Sequence, residues 1–275
     1  MKVAIYQGQC RPKRVAENLE IIHRAALSAA KQEARLIIFP EMFLTGYNIG
    51  DAVFELTERS NGPATQKAAA IAREANIALL YGYPEKFDAG VYNSAILIDG
   101  QAKVLANYRK THLFGPEENR LFKEGNSLVL TKLEGLTIRI LICYDVEFPE
   151  AVRGTHQCRS TADCSATALM KPYCRIAETV VPARAYESQV FVAYVNRIGT
   201  ERELTYCGLS SIIGPDGHSI LKKGPDEDGV FFADVEISAI TTVRKKKSRP
   251  CRSPPGALCR PGKKIIILYK LSQLL

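Results

Sequence analysis

The chain of 275 residues carries 37 Lys and Arg against 29 Asp and Glu, a formal net charge of +8, and 46% of its residues are hydrophobic. This length and apolar content suffice for one large globular domain. The sequence has no apolar run of about 18 residues and no leader-like N-terminal segment, so we expect a cytoplasmic protein with no membrane partner.

The basic excess lies mainly near the C-terminus, in 244–247 and in the cationic residues that follow as far as Lys264. It has no interleaved aromatic residues and matches no nucleic-acid motif, so we expect no nucleic-acid partner. The eight Cys show neither metal-ligand spacing nor a compact disulfide framework. We therefore predict no metal, no cofactor and no structural disulfide.

Helical and strand-like segments alternate along the chain, as they do in layered α/β proteins. Each of the first two predicted helices leads into a short apolar strand, and a hairpin arm and further strands follow. The predicted helices are 17–34 and 64–76, and the predicted strands are 36–39, 77–83, 93–98, 190–195, 210–213 and 230–235. The pattern predicts two sheets with helices outside.

Three reactive side chains follow three strand-like runs. The run 35–40 ends at Glu41, 103–109 leads to Lys110, and 136–142 ends at Cys143. Side chains at the mouths of strands can converge at one sheet edge. A Glu and a Lys that met there would offset each other's charge and shift each other's pKa.

Cys143 occupies a strand-to-helix elbow, where nearby backbone N–H groups favour a thiolate and can bind an oxyanion. This placement is typical of a nucleophile. A buried core cysteine is the alternative, because free Cys is among the most buried residue types.

The segments 39–47, 108–114 and 141–150, which contain these three residues, resemble the motifs of the nitrilase, or carbon–nitrogen hydrolase, superfamily in order and spacing. The resemblance covers about 1–153 and 167–246. It implies an α/β fold, the four-layer α-β-β-α sandwich of the nitrilase type. It also implies the association of two subunits, a homodimer or a larger homo-oligomer.

The resemblance further implies a thiol-dependent hydrolase that cleaves the C–N bond of small amides to a carboxylate and ammonia. Glu41 would act as general base and Cys143 would form a thioester. Lys110 and the backbone N–H of Tyr144 would hold the oxyanion.

A second glutamate is usual in this family after the lysine motif. Glu118 fits that pattern better than Glu117, and its expected task is to orient Lys110 and the substrate. His112 invites a Cys–His dyad, but Glu41 already supplies a base, so we interpret His112 as a structural hydrogen-bonding residue.

The expected acyl pocket comprises Tyr47 with Ala168, Leu169 and Met170. A core role is an equal alternative for Met170. True nitrile hydrolases of this family tend to carry Trp after the nucleophile, whereas this chain has Tyr144 there and contains no Trp. We therefore expect an amidase for small aliphatic, ω-amido or amino-acid amides. N-carbamoyl hydrolysis and nitrile hydrolysis are the alternatives.

Two stretches depart from the pattern of a domain spanning 1–246. The fold needs a buried strand before Thr167, yet 154–166 contains no apolar run, and as a strand it would bury several unpartnered polar groups. We hypothesise compensating frameshifts there. The tail 247–275 lacks periodicity and is interpreted as disordered or shifted. An inactive or poorly folded product of a damaged gene is therefore an alternative of another class.

Overall fold

The computed structural model describes residues 1–153 and 160–246, so the predictions for 154–159 and for the tail 247–275 lie outside the described residues. The described residues form fourteen strands, listed here in chain order: β1 (Lys2–Gln7), β2 (Leu36–Ile38), β3 (Ala78–Phe87), β4 (Gly90–Ile98), β5 (Val104–Arg109), β6 (Leu130–Leu133), β7 (Leu136–Ile142), β8 (Ala162–Ala166), β9 (Phe191–Val195), β10 (Thr200–Glu201), β11 (Leu204–Thr205), β12 (Ser211–Ile213), β13 (Ser219–Lys222) and β14 (Gly229–Asp234).

The described helices are α1 (Val15–Lys31), α2 (Ala52–Glu55), α3 (Pro63–Ala75), α4 (Gly115–Leu121), α5 (Pro149–Arg153), α6 (Val181–Ser188) and α7 (Ile237–Lys246). A 3-10 helix spans Cys143–Glu147 and a π-helix spans Ile176–Val180.

Twelve of these strands form two six-stranded sheets. The first has the order β14-β1-β2-β3-β4-β5, and the second has the order β13-β12-β9-β8-β7-β6. Strands β1, β2 and β3 are parallel neighbours in the first sheet, as are β7, β8 and β9 in the second, and the outer pairs of both sheets are antiparallel. Strands β10 and β11 form a separate hairpin.

The main core lies between the two sheets. Ile5, Ile38 and Leu80 of the first sheet share one buried cluster with Ile138 and Ile140 of the second. Helices α1 and α3 cover the outer face of the first sheet, and α6 packs on the outer face of the second. The prediction of an α-β-β-α sandwich is therefore confirmed.

The two long helices form where the apolar spacing predicts them, with ends displaced by a few residues. Helix α1 buries Leu19, Ile22 and Ala26 and ends before Glu33, whose φ of 61° is left-handed. Helix α3 begins with Pro63, which suits the first helical turn, and is capped by Asn76 in the left-handed region.

Strand β8 corrects one prediction. Ala162–Ala166 is a fully buried strand, paired in parallel with β7 and β9, although it has no apolar run. Its carboxylate is not isolated, because Asp163 Oδ1 accepts hydrogen bonds from Arg139 Nε at 3.1 Å and Ser160 Oγ at 2.6 Å. Within the described part of this stretch, 160–166, the expectation of several unpartnered polar groups reduces to one buried side-chain atom, Asp163 Oδ2, because Arg139 and Ser160 partner the other oxygen.

The small side chains of β8 leave a cavity in the core. Ala162 and Cys164 line a small apolar cavity between the two sheets, together with residues such as Val3, Leu36 and Phe191. Bulkier apolar side chains in β8 would fill such a space. The frameshift hypothesis for 154–166 concerns the coding DNA and stays a prediction, which resequencing of that DNA tests.

The prediction of no structural disulfide was wrong. A disulfide joins Cys174, which precedes the π-helix, to Cys207, which follows β11. The two cysteines are 33 residues apart in sequence, and only the packing of these two segments brings them together. Among the described residues, no helix is long and apolar enough to cross a membrane, and no group of three or more His, Cys, Asp or Glu side chains could hold a metal ion.

Candidate active site

The topology brings Glu41, Lys110 and Cys143 to one end of the sandwich. Strand β5 runs in the same direction as β2, because two antiparallel pairings and one parallel pairing separate them, so Glu41 and Lys110 leave the first sheet at the same edge. Cys143 follows β7 in the facing sheet. Lys110 Nζ donates to Glu41 Oε1 at 2.7 Å, and both side chains are fully buried.

One carboxylate oxygen of Glu41 accepts hydrogen bonds, and the other has no partner among the described residues. Its Oε1 accepts hydrogen bonds from Lys110 Nζ and, at 2.7 Å, from Asn93 Nδ2. Its Oε2 is buried and has no partner among the described residues. Burial raises the pKa of Glu41, although Lys110 and Asn93 act in the opposite direction. A buried carboxylate with a raised pKa and a free oxygen suits a general base.

Glu118 shares the ammonium group of Lys110. Its Oε1 accepts from Lys110 Nζ at 2.8 Å and from the hydroxyl of Tyr47 at 2.7 Å, and its Oε2 accepts from the backbone N–H of Phe114 at 2.8 Å. Burial alone would lower the pKa of Lys110, but the charges of Glu118 and Glu41 raise it, so this side chain is a permanent cation. Glu117 is exposed and pairs with Arg120 instead.

Cys143 begins the 3-10 helix and has a φ of 46°, a left-handed conformation that costs a non-glycine residue energy. The sulfur accepts a hydrogen bond from the backbone of Ala168. Burial and the negative charge of Glu41 raise the pKa of Cys143 above its ordinary value. The backbone of Ala168 favours the thiolate, as expected of this elbow, but burial and the charge of Glu41 outweigh it. The thiol needs a base, and Glu41 is close enough to act on it electrostatically.

Asp145 holds the elbow in place, and the sequence analysis missed it. Its Oδ2 accepts from Tyr108 OH at 2.8 Å and from the backbone N–H of Ile142 at 3.0 Å, and its Oδ1 accepts from Thr111 Oγ1 and from the backbone N–H of His112, both at 3.0 Å. This one carboxylate therefore ties the turn after β7 to the segment that carries Lys110. The sequence signal that could have identified Asp145 is its position, two residues after a cysteine at the end of a strand.

His112 has the structural role that the sequence analysis gave it. Its Nδ1 lies 2.8 Å from Asp145 Oδ1, and its ring stacks on Phe148 with the centroids 3.9 Å apart. No described contact joins this ring to Cys143, so the geometry offers no Cys–His dyad.

A narrow pocket leads to the sulfur. It is lined by Cys143, Phe114, Tyr144, Glu147, Leu169, Met170 and Tyr173. Of the residues predicted for the acyl pocket, Leu169 and Met170 line it, Ala168 contacts the sulfur through its backbone, and Tyr47 lies behind Glu118 as a hydrogen-bond donor. The sequence analysis did not place Phe114, Glu147 or Tyr173 there.

Two further residues support Glu41 from the neighbouring strands. Asn93 of β4 fixes one of its oxygens, as described above. Gly82 of β3 lies so close to the turn after β2 that a Cβ atom there would collide with the backbone of Glu41 and Met42. Neither residue has a local sequence signal, because both act across strand pairings.

A family model described as carbon–nitrogen hydrolase matches residues 2–245. The chain belongs to this family. Among curated relatives, the carbon–nitrogen hydrolase described here is 46% identical to the "Hydrolase in pqqF 5′ region" of Pseudomonas protegens, with 82% of this chain and 80% of that protein covered. It is 31% identical to an (R)-stereoselective amidase of Pseudomonas sp., with 82% of each covered.

The solved structures agree with this assignment. The crystal structure of an amidase from Nesterenkonia sp. matches the carbon–nitrogen hydrolase with a TM-score of 0.81 and 31% identity, and the match covers 90% of this chain and 95% of the amidase. Another structure, of a mutant of that amidase, shows acrylamide added to its active-site cysteine. This carbon–nitrogen hydrolase therefore has the fold of a nitrilase-superfamily amidase, a fold in which an active-site cysteine is known.

Proposed function

We propose that this carbon–nitrogen hydrolase cleaves small amides to a carboxylate and ammonia through a thioester on Cys143. The observation that carries the proposal is the buried Lys110 ammonium, shared between Glu41 and Glu118 at 2.7 and 2.8 Å, beside a thiol whose pKa burial raises. A protonated thiol, a buried base and a fixed cation are the groups that this reaction requires.

In the first half of the reaction, Glu41 takes the thiol proton as the sulfur of Cys143 attacks the carbonyl carbon. The oxygen becomes an oxyanion, which the Lys110 ammonium and the backbone N–H of Tyr144 stabilise, each donor by about 3 kcal/mol. The tetrahedral intermediate then collapses. The C–N bond breaks, Glu41 returns the proton to the nitrogen, and ammonia leaves.

In the second half, Glu41 removes a proton from water, and the resulting hydroxide attacks the thioester carbon. The C–S bond breaks, the carboxylic acid is released, and the proton on Glu41 returns to the sulfur. Lys110 keeps its proton throughout, because Glu118 and Glu41 raise its pKa. Glu118 orients Lys110 and does not itself exchange protons with the substrate.

The first test is ammonia release from aliphatic, ω-amido and amino-acid amides, N-carbamoyl compounds and a nitrile. We expect release from the amides and a loss of at least about 10³-fold in Cys143→Ala. Cys164→Ala is the matched control, since that cysteine is buried between the sheets. It should keep its activity.

The alternatives predict different outcomes of the same assay. Preferred release from N-carbamoyl compounds or from the nitrile would replace the amidase assignment. Absence of release from a protein that melts cooperatively would favour the inactive relative, whereas absence of a cooperative melt would indicate a product that does not fold.

A further inference from the structure

Glu147 is the one acidic side chain among the described residues that line the pocket above Cys143. It ends the 3-10 helix that begins with Cys143, so the same rigid turn positions the sulfur and this carboxylate. The other lining residues besides Cys143 are Phe114, Tyr144, Leu169, Met170 and Tyr173, which are apolar or aromatic. The pocket therefore presents a single negative charge within an aromatic and aliphatic wall.

The described residues leave this carboxylate without a hydrogen bond or an ion pair. Arg184 of α6 acts on it electrostatically, but its guanidinium is hydrogen-bonded to other groups. Its Nε donates to the backbone oxygen of Val146 at 2.8 Å, its Nη2 to the backbone oxygen of Glu147 at 2.7 Å, and its Nη1 to the side chain of Glu187 at 2.9 Å. Lys110 is occupied by Glu41 and Glu118.

A partly buried carboxylate with no protein partner keeps only part of its hydration, so a cation that enters the pocket gains a favourable partner there. Burial accordingly raises the pKa of Glu147, even though Arg184 and Lys110 act to lower it. A substrate that brings a positive charge into the pocket would relieve this cost. The aromatic side chains of Phe114, Tyr144 and Tyr173 could stabilise the same cation through their ring faces.

We propose that Glu147 selects amides that carry a protonated amino group, which it binds while the amide carbon faces Cys143. The proposal rests on the amide hydrolysis proposed above and names its substrate class. It also separates the alternatives from the sequence. Amino-acid amides without a free carboxylate are favoured, whereas ω-amido acids and N-carbamoyl amino acids bring a carboxylate that Glu147 repels.

The test compares three amides with the same two-methylene spacer and different terminal charge: β-alanine amide is cationic, butyramide is its neutral isostere, and succinamate is anionic. A second series with a chain one methylene shorter, glycine amide against propionamide and malonamate, allows for the unknown reach of the pocket. We expect kcat/KM to rank cation above neutral above anion, with about 10-fold or more between the first two in the better-fitting series.

Glu147→Gln keeps the shape of the side chain and removes its charge. The ratio of kcat/KM for the cationic amide to that for the neutral amide should fall towards one, and Glu147→Lys should reverse the order in favour of the anion. The matched control is Glu150→Gln, because Glu150 is an exposed carboxylate three residues later and outside the pocket. Its ratio should equal that of the unsubstituted protein.

Two outcomes would overturn the inference: equal kcat/KM for the cationic and neutral amides in both series, or a preference that survives Glu147→Gln. If Cys143-dependent release occurs without a charge preference, the proposed function stands and this inference fails. If no amide is cleaved, calorimetric binding of the same compounds to the Cys143→Ala protein decides instead. Tighter binding of the cation that Glu147→Gln abolishes would support the inference, and equal binding would refute it.

Discussion

At the scale of single residues, the site combines two buried carboxylates with one ammonium group. Lys110 pairs with both Glu41 and Glu118, and all three side chains are buried, so ionisation of both carboxylates would leave one negative charge in excess. Burial is the main cause that raises the pKa of the Cys143 thiol and that of Glu41, with the charges of Glu41 and Glu118 adding to the effect on the thiol and Lys110 opposing it in both groups. The raised pKa favours the protonated thiol, and in the mechanism proposed above Glu41 removes that proton when the substrate arrives.

Asn93 tunes this base, which leads to a prediction about pH dependence. Its amide donates to Glu41 Oε1 at 2.7 Å and lowers the pKa of a carboxylate that burial raises. Asn93→Ala should raise that pKa further. Because the proposed mechanism needs ionised Glu41, the acid limb of the kcat/KM profile against pH should move to higher pH, and kcat/KM at neutral pH should fall about 10-fold.

Asn61→Ala serves as the control for this experiment, since Asn61 is exposed and accepts a hydrogen bond only through its backbone oxygen. Its pH profile should match that of the unsubstituted protein. An acid limb that stays in place in Asn93→Ala, with kcat/KM lowered equally at every pH, would mean that Asn93 shapes the site without tuning Glu41.

At the scale of elements, β8 shows how a central strand tolerates polar residues. The side chains of Asp163 and Ser165 alternate with those of Ala162, Cys164 and Ala166, and the latter set faces or adjoins the core between the sheets. Asp163 lies beside Arg139 of β7, whose guanidinium also donates to Ser160 Oγ and to the backbone oxygen of Ala151, both at 2.6 Å. The ion pair therefore links β7, β8 and α5.

This buried pair predicts a strongly non-additive effect on stability. Asp163→Ala leaves the Arg139 charge buried without its partner and should lower the free energy of unfolding by about 3–5 kcal/mol. The double change Arg139→Met with Asp163→Leu removes both charges and should recover most of that loss. Urea unfolding of the single and double variants measures the difference.

An exposed ion pair is the comparison for this cycle. Glu117 and Arg120 of α4 interact at 2.7 Å with about half of each side chain accessible, so Glu117→Ala should change the free energy of unfolding by less than about 1 kcal/mol. Equal losses in Asp163→Ala and Glu117→Ala would contradict the view that the β8 pair is buried in the protein in solution.

At the scale of the whole molecule, the disulfide between Cys174 and Cys207 connects two segments that flank the second sheet. Cys174 directly follows Tyr173, which lines the pocket, and Cys207 directly follows Tyr206. It therefore ties the segment that carries one wall of the pocket to the loop before β12.

The disulfide predicts a redox-dependent stability. Closing a loop of 33 residues should stabilise the protein by about 2–4 kcal/mol. The variant Cys174→Ser with Cys207→Ser should lose this amount under oxidising conditions, and unfolding in urea measures it. With a thiol reductant present, the two proteins should unfold at the same urea concentration.

Peptide mapping without reductant provides the direct check. A cross-linked peptide containing Cys174 and Cys207 is expected, and free thiols at both positions would contradict the structure. Because disulfides are rare in the reducing cytosol, this bond and the predicted cytoplasmic location oppose each other. That location and the homo-oligomer implied by the family resemblance stay predictions.

The sequence by itself determined the class of fold and indicated three residues that the structure brings together in the candidate site. Apolar periodicity located α1, α3 and most of the strands of the two sheets, because these elements bury continuous faces that the side chains record locally. The positions of Glu41, Lys110 and Cys143 directly after strand-like runs were equally local, since a strand end is a property of the chain around it.

Only the tertiary structure decided how those groups are supported. Asn93, Asp145 and Gly82 act across strand pairings and loop contacts, and no short segment of sequence records such pairings. The same holds for the disulfide and for β8, whose polar residues are stable because Arg139 lies on the adjacent strand. Burial raises the pKa of Cys143 and that of Glu147. The extent of this burial depends on how completely the two sheets and their loops enclose these residues, and only the folded chain determines that.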